Sequence, residues 1–216
     1  MFRFLLVVVA ATTAGCVSVQ QIPMNPSSAD TIKDKEIALS QRAKPDFAAS
    51  TPAKAMFAMI GATAMISEGN ELIRKNAIED PAVYIAHTLA DDLHGRYNTR
   101  LSPKGVAVAG DDVADLVKNA NGSDLVLDIR TLNWSFVYFP LSLGKYRVIY
   151  SARLRLVDAK SGRILAEGGC YRVPEHTAHS PTYDELVANS AARLKQELRT
   201  AADFCVSEFK AKTLAL

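Results

Sequence analysis

Between residues 123 and 170 the apolar side chains recur at every second position, the period of a strand with one buried face. Leu125, Leu127 and Ile129 share one parity, whereas Leu132, Trp134, Phe136 and Tyr138 share the other. A continuous strand would put these two sets on opposite faces, because each step along the chain flips the side chain. One extra residue, a β-bulge near residues 130–132, returns both to a common apolar face. After a turn at residues 140–144, Tyr146, Val148, Tyr150, Ala152, Leu154 and Leu156 alternate without a fault. Arg147, Ser151, Arg153 and Arg155 occupy their opposite face. Asp158-Ala159-Lys160-Ser161-Gly162 is a hairpin turn, and Ile164, Ala166, Gly168 and Cys170 continue a third strand.

The flanking segments change period. Asp80-Pro81 reads as a helix cap followed by proline at the first helical position. Ala82, Ile85, Ala86, Leu89, Leu93 and Tyr97 then make one apolar face. Asp111 can cap a short helix through Lys118, which Asn121-Gly122 ends. Thr182 and Glu185 fit a capping box opening a last helix that runs to about Lys212. Its buried stripe is Val187, Ala191, Leu194, Leu198, Ala201 and Cys205. Residues 35–42 and the pair Val106 and Val108 read as short strands. The expected fold is α+β: an antiparallel meander of three long strands plus one or two short strands, covered by helices on one face. Strand parity and helix period independently point Cys170 and Cys205 into the same sheet–helix interface, which predicts a disulfide between them.

The N-terminus supplies an address. Arg3 precedes an apolar run at residues 4–11, small residues fill positions 12–15, and Cys16 follows. This is the pattern of a secretory signal with a cysteine at the cleavage point. Thr13-Ala14-Gly15-Cys16 resembles the lipobox of bacterial lipoproteins, although Thr13 stands where Leu or Val is usual; ordinary secretion with cleavage nearby is the other reading. The resemblance implies cleavage before Cys16, a diacylglycerol on its thiol and acylation of its new amino group. It divides the chain into a lipoprotein signal peptide (1–15), a lipidated tether (16–34) rich in proline and polar residues, and a single α+β periplasmic domain (35–216). Of the three cysteines, lipidation of Cys16 leaves an even pair in an oxidising compartment. Val17 is not the aspartate that retains lipoproteins at the inner membrane in enteric-type sorting, so the outer membrane is the expected address.

Composition narrows the partners. A formal net charge of +2 gives no electrostatic reason to expect nucleic acid. No stretch reaches the roughly 18–20 apolar residues of a spanning helix. Residues 55–66 carry no charge and predict a helix apolar on every face, with Ala58 and Ala62 spaced for close contact. Such a helix is core, oligomer contact or membrane-surface contact. The hairpin tip at residues 136–141 is also apolar on both faces, and is core if that helix covers it.

Candidate chemistry is sparse. His87, Asp91 and His94 share a helical face and could bind a divalent metal, although a solvated face explains them as well. Glu175, His176 and His179 sit in a loop beside Asp184, where zinc is the option. Asp91-Asp92 and Asp111-Asp112 fit helical and capping contexts, not a converging catalytic pair. Arg147, Arg153, Arg155 and Arg130 could present a basic row to an acidic partner on an open sheet face, or simply be its polar side. No nucleophile elbow, P-loop or dinucleotide fingerprint is present. The reading is a non-enzyme with no cofactor and no evident small-molecule substrate.

The hairpin Leu154-Arg155-Leu156-Val157-Asp158 with Ser161-Gly162-Arg163-Ile164-Leu165-Ala166, the strand opening Ser123-Asp124-Leu125-Val126-Leu127, and the helices around them follow a known order. Over residues 80–212 it is similar to the curli-secretion and penicillin-binding-protein-activator lipoproteins and to the N-terminal domain of TolB. Residues 35–80 look more like a set of uncharacterised proteobacterial outer-membrane lipoproteins. The resemblance implies a lipid-anchored envelope protein acting by protein–protein contact, accessory to cell-wall or secretion machinery. The alternatives are an oligomeric export-channel or pore subunit and a metal-dependent enzyme at the His176/His179 loop.

Overall fold

The computed structural model describes residues 19–56 and 58–216; the expected signal peptide and Cys16 lie outside them. The elements are α1 (Ala29–Ile32), β1 (Glu36–Gln41), β2 (Ala48–Ala49), α2 (Pro52–Ala55), α3 (Ala58–Lys75) and α4 (Pro81–Tyr97). Then come β3 (Arg100–Leu101), β4 (Val106–Ala107), α5 (Val113–Lys118), β5 (Leu125–Phe139), β6 (Ser142–Asp158), β7 (Ile164–Arg172) and α6 (Tyr183–Phe209). The three long strands pair antiparallel, and the β5–β6 register shifts between Thr131 and Asn133, where the change of parity puts the bulge.

The sheet is nevertheless not a pure meander. It has seven strands among the described residues, in the order β3-β1-β5-β6-β7, with β2 also on β5 and β4 also on β1. β1 and β2 run parallel to β5, and β3 and β4 run parallel to β1. Parallel neighbours need a long crossover, and the chain between β1 and β5 supplies one through α3, α4 and α5. Nor are helices confined to one face. α4 and α6 pack on each other and cover β5, β6 and β7 on one side. On the other side Leu116 of α5 joins Val106, Val108, Ala38, Val126 and Val157 in a second apolar cluster.

The helix ends follow local chemistry, with one exception. Asp80 accepts the Ala82 N–H at the start of α4, and Asn98 closes that helix in the left-handed region at φ 53°. Thr182 and Glu185 form both halves of the capping box. Asp112 occupies the cap of α5, not Asp111, and makes no side-chain cap bond. Asp111 is engaged with arginines instead. α6 is interrupted, with Asn189, Ser190 and Ala191 at φ 51°, 56° and 57°. Left-handed backbone costs non-glycine residues roughly 1–2 kcal/mol each. Beyond the break the expected stripe holds; before it Leu186 is buried in the core and Val187 is partly buried against it. The helix ends at Phe209 in a π-turn over residues 210–214.

Much of the expected tether belongs to the domain. Ile22 bridges Glu167 on the edge of β7 with two backbone hydrogen bonds, of 2.7 and 2.9 Å. Met24 donates to Thr213 O, and the side chains of Met24 and Ile32 are buried. Thr213 lies over Gly168, where an added Cβ would meet its Oγ1 at 2.1 Å.

Among the described side chains of the apolar helix, most are not core. α3 seats only a narrow face, and it does so through glycine. A Cβ on Gly61 would fall 1.9 Å from Lys54 O, and one on Gly69 would fall 2.0 Å from Phe47 O. These positions provide the close approach, whereas Ala62 and Ile66 are exposed; the Ala58 side chain lies outside the described ones. Gly69→Ala is therefore expected to destabilise by about 1–3 kcal/mol, since backbone oxygen cannot rotate away. Gly95→Ala, on an exposed turn of α4 with nothing within 4 Å, is expected to stabilise by about 0.5–1 kcal/mol from helix propensity. Urea denaturation of the two variants checks the opposite signs.

Cys170 on β7 and Cys205 on α6 are bonded, with Cα atoms 5.4 Å apart and both side chains buried. Their sequence separation is 35. Replacing both with alanine is expected to lower stability by about 3–4 kcal/mol on the loop-entropy account. Denaturation midpoints of the oxidised and substituted proteins measure it.

Candidate functional site

The arginine row does not lie on an open face. Asp128 of β5 is buried and pairs across the sheet with Arg155 of β6. Arg42, just beyond β1, places Nε 2.7 Å from Asp128 Oδ1. Arg155 Nη2 stands 2.9 Å, and Arg153 Nη2 3.5 Å, from Asp128 Oδ2. Arg153 also grips Asp111 through two hydrogen bonds of 2.6 and 2.9 Å, and Arg130 reaches the same carboxylate at 2.6 Å. Arg153 and Arg155 are almost fully buried. They are internal partners of a charge cluster roofed by the segment leading into α5, and no acidic partner can reach them there. Arg147 departs from the row, with its guanidinium 5.2 Å from the centroid of Phe139.

Burial raises the pKa of Asp128, but hydrogen bonding and charge from Arg42, followed by Arg155, more than offset it and hold the group below its ordinary value. Asp111 is held low by its hydrogen bonds to Arg153 and Arg130, against some desolvation. Sequence reasoning missed Asp128 although a signal existed. It stands on the polar parity of its own strand with Arg130, and an apolar neighbour stands on each side of it.

Beside this cluster lies a groove of about 1120 Å³. The loop after β1, the start of α4 and the bulged part of β5 enclose it. At its wall Thr131 donates to Asp80, which leaves the Tyr150 hydroxyl to donate to Thr131 at 2.9 Å. Burial pushes the Asp80 carboxyl upward, opposed in part by the Thr131 and Ala82 donors. Burial and then the Asp80 charge push the Tyr150 hydroxyl upward. Lys44 donates to Ile78 O at 2.7 Å and stands 3.7 Å from Glu79. With Arg42 and Arg130 tied to carboxylates, the cations of the groove are already matched. Its chemistry is that of a braced bulge.

The histidines do not assemble metal sites. His94 Nδ1 stands 2.6 Å from Thr99 O, and His87 and Asp91 are exposed. His176 packs edge-on to Phe139 at 4.9 Å, while His179 is exposed near Asp184 and Glu185. Among the described residues no three His, Cys, Asp or Glu side chains converge as metal ligands.

The hairpin tip is split between core and surface. Phe136 is buried against Phe47, Tyr146 and Tyr183, with ring centroids 5.7–5.9 Å apart. Leu141 is 103% and Leu143 55% exposed, so α3 does not cover the tip. Ala49 of β2 lies beside Phe136 and runs parallel to β5, so the chain enters α2 heading toward the hairpin turn. Met56, 82% exposed, follows α2. No helix among the described residues is long and apolar enough to cross a membrane.

No protein-family model matches the chain, and no curated protein matches it. Solved structures similar to it include a DUF330 protein from Xanthomonas campestris, at 13% identity, TM-score 0.39, and coverage of 90% of this chain and 93% of that one. Lipoprotein GNA1162 from Neisseria meningitidis is 17% identical, with TM-score 0.30 and coverage of 81% and 99%. The PelC dodecamer from Paraburkholderia phytofirmans is 14% identical, with TM-score 0.34 and coverage of 87% and 95%. Likeness at this level carries no argument about activity, and the curli-secretion, penicillin-binding-protein-activator and TolB resemblances gain no support from it.

Asp111 and Asp128 both have folded pKa values below the unfolded value of about 3.9. In that range the unfolded chain binds more protons, so stability rises with pH. Their contribution is complete at neutral pH and is lost as pH falls through about 4 toward the folded values. Asp128→Asn is expected to destabilise by about 3–5 kcal/mol at pH 7, because it removes the buried carboxylate that Arg42 and Arg155 face. It should also flatten the acid limb of the stability profile. Urea titrations of both proteins between pH 2 and pH 7 provide the comparison, within the window set by the carboxylate pKa values.

Proposed function

We propose that the protein is a lipid-anchored protein of the outer membrane that acts by contact with another envelope protein, as an accessory to cell-wall or secretion machinery. The observation that carries this reading is the apolar hairpin tip at Leu141 and Leu143, which the fold leaves exposed. Apolar side chains gathered at one end of a domain are the usual mark of a contact surface. Phe136 and Tyr146, buried directly behind them and in ring contact with each other and with Tyr183, hold the end rigid. The lipobox-like Thr13-Ala14-Gly15-Cys16 supplies the anchor, and the acyl chains fasten it at about 0.8 kcal/mol per buried CH₂. We assign the protein no catalytic step and no cofactor.

A photo-crosslinking residue at Leu141, in native envelopes, is expected to trap one distinct protein, whereas the same residue at Lys195 traps none. Leu141→Asp with Leu143→Asp should abolish the adduct while changing stability by no more than about 0.5 kcal/mol, as exposed substitutions do. An adduct formed only with a second copy of the chain would replace this reading with that of an oligomeric export-channel subunit. No adduct at Leu141 would overturn both.

A further inference from the structure

We infer that the outer edge of β7, with Tyr171, Val173 and the Arg172–Phe204 pair, lies directly on the lipid surface to which the chain is anchored. This rests on the acylation of Cys16 proposed above. An extended chain spans at most about 3.3–3.6 Å per residue. A tether over residues 16–34 would let the domain drift several nanometres from the bilayer. The chain is instead pinned much earlier. Gln20 N donates to Glu167 Oε1 at 3.0 Å, and Ile22 exchanges backbone hydrogen bonds with Glu167. Only four residues of reach separate Gln20 from Cys16, about 14 Å at full extension. An acyl chain on Cys16 must therefore enter the membrane within that distance of the β7 edge. The bilayer passes beside this edge whatever conformation the link adopts.

The side chains at that edge fit a lipid headgroup region. Ile22 lies antiparallel to Glu167, so chain preceding it heads toward the end of β7 that holds Tyr171. Tyr171 is 58% and Val173 52% exposed. An added Cβ on Gly169 would meet the Tyr171 ring at 2.8 Å, so the ring lies back along the strand, beside the departing chain. On the opposite face Arg172 extends its guanidinium to within 5.9 Å of the Phe204 ring centroid, and Phe204 is itself exposed. Aromatic rings with polar tips favour the membrane–water interface. Arginine lays its methylenes on apolar surface while keeping its charge at headgroup level. In this orientation the Leu141 end points along the membrane surface, where a neighbouring envelope protein can meet it.

The test uses the mature, full-length acylated protein in vesicles of phosphatidylethanolamine and phosphatidylglycerol carrying brominated acyl chains. Trp134 is the single native tryptophan and is buried, so its emission is a constant background. Tyr171→Trp adds a reporter at the proposed contact, with Val173→Trp as a second reporter should the first disturb folding. Leu101→Trp adds one on β3, at the opposite edge of the sheet. The added emission at position 171 or 173 is expected to lose at least half its intensity to brominated lipid, and that at position 101 to be unchanged. Equal quenching at the two edges would overturn the orientation. Mass spectrometry of the N-terminal peptide separates the two levels of the argument: an unacylated Cys16 overturns the anchor and the orientation together, whereas an acylated Cys16 with equal quenching overturns the orientation alone.

Discussion

The bulge of β5 at Thr131 is the constraint on which the rest of this fold depends. β5 pairs with β1, β2 and β6, and its two halves carry apolar residues of opposite parity. Without one extra residue either Leu125, Leu127 and Ile129 or Trp134 and Phe136 would face away from α4 and α6. The bulge turns both sets inward, and all five side chains are buried. A bulge leaves a residue out of the ladder, and here that irregularity is braced. Asp80, the cap of α4, holds Thr131, and Tyr150 holds Thr131 from β6. The start of a helix and the kink of the central strand are thereby fixed to one another.

On the other face the same strand carries Asp128. A buried carboxylate is costly unless its charge is met, and three guanidiniums meet it here from two sites, Arg42 beyond β1 and Arg153 and Arg155 on β6. Asp111 completes the cluster and draws the segment before α5 down on the sheet. This explains why Asp112, not Asp111, stands at the α5 cap. It also explains why this face is closed at its base. The polar parity of β6 is not a wet surface but the lining of an ionic interior, continuous with the apolar cluster around Leu116 and Val126.

Burial on both faces leaves few surfaces for function. The apolar end around Leu141 and the β7 edge around Tyr171 lie at different margins of the sheet, which suits a domain fastened along one margin and making contact at another. The early docking of Ile22 makes this geometry possible, because a domain on a long free tether would have no preferred side toward the bilayer. The large groove near Asp80 holds no comparable promise, since its cations are already matched by carboxylates and a carbonyl.

Local patterns in the sequence determined a good deal by themselves. The three long strands, the bulge, the caps at Asp80 and Thr182, and the convergence of Cys170 and Cys205 all follow from period and parity, which are properties of a short stretch of chain. What required the tertiary structure was every question of partnership between distant segments. Parallel pairing of β1 with β5 has no local signature, because β1 alternates in the same way whichever neighbour it has. The exposure of α3 was likewise hidden: residues 55–66 carry no charge, yet among the described side chains of the helix it is Gly61, Gly69 and Ile73 that are buried, while Ala62 and Ile66 stay in the open. The fate of the arginines turned on Asp128 and Asp111, one on a facing strand and one before a short helix. Alternation tells which residues share a face. Only packing decides what that face meets, because burial depends on segments that are close in space and far apart in sequence.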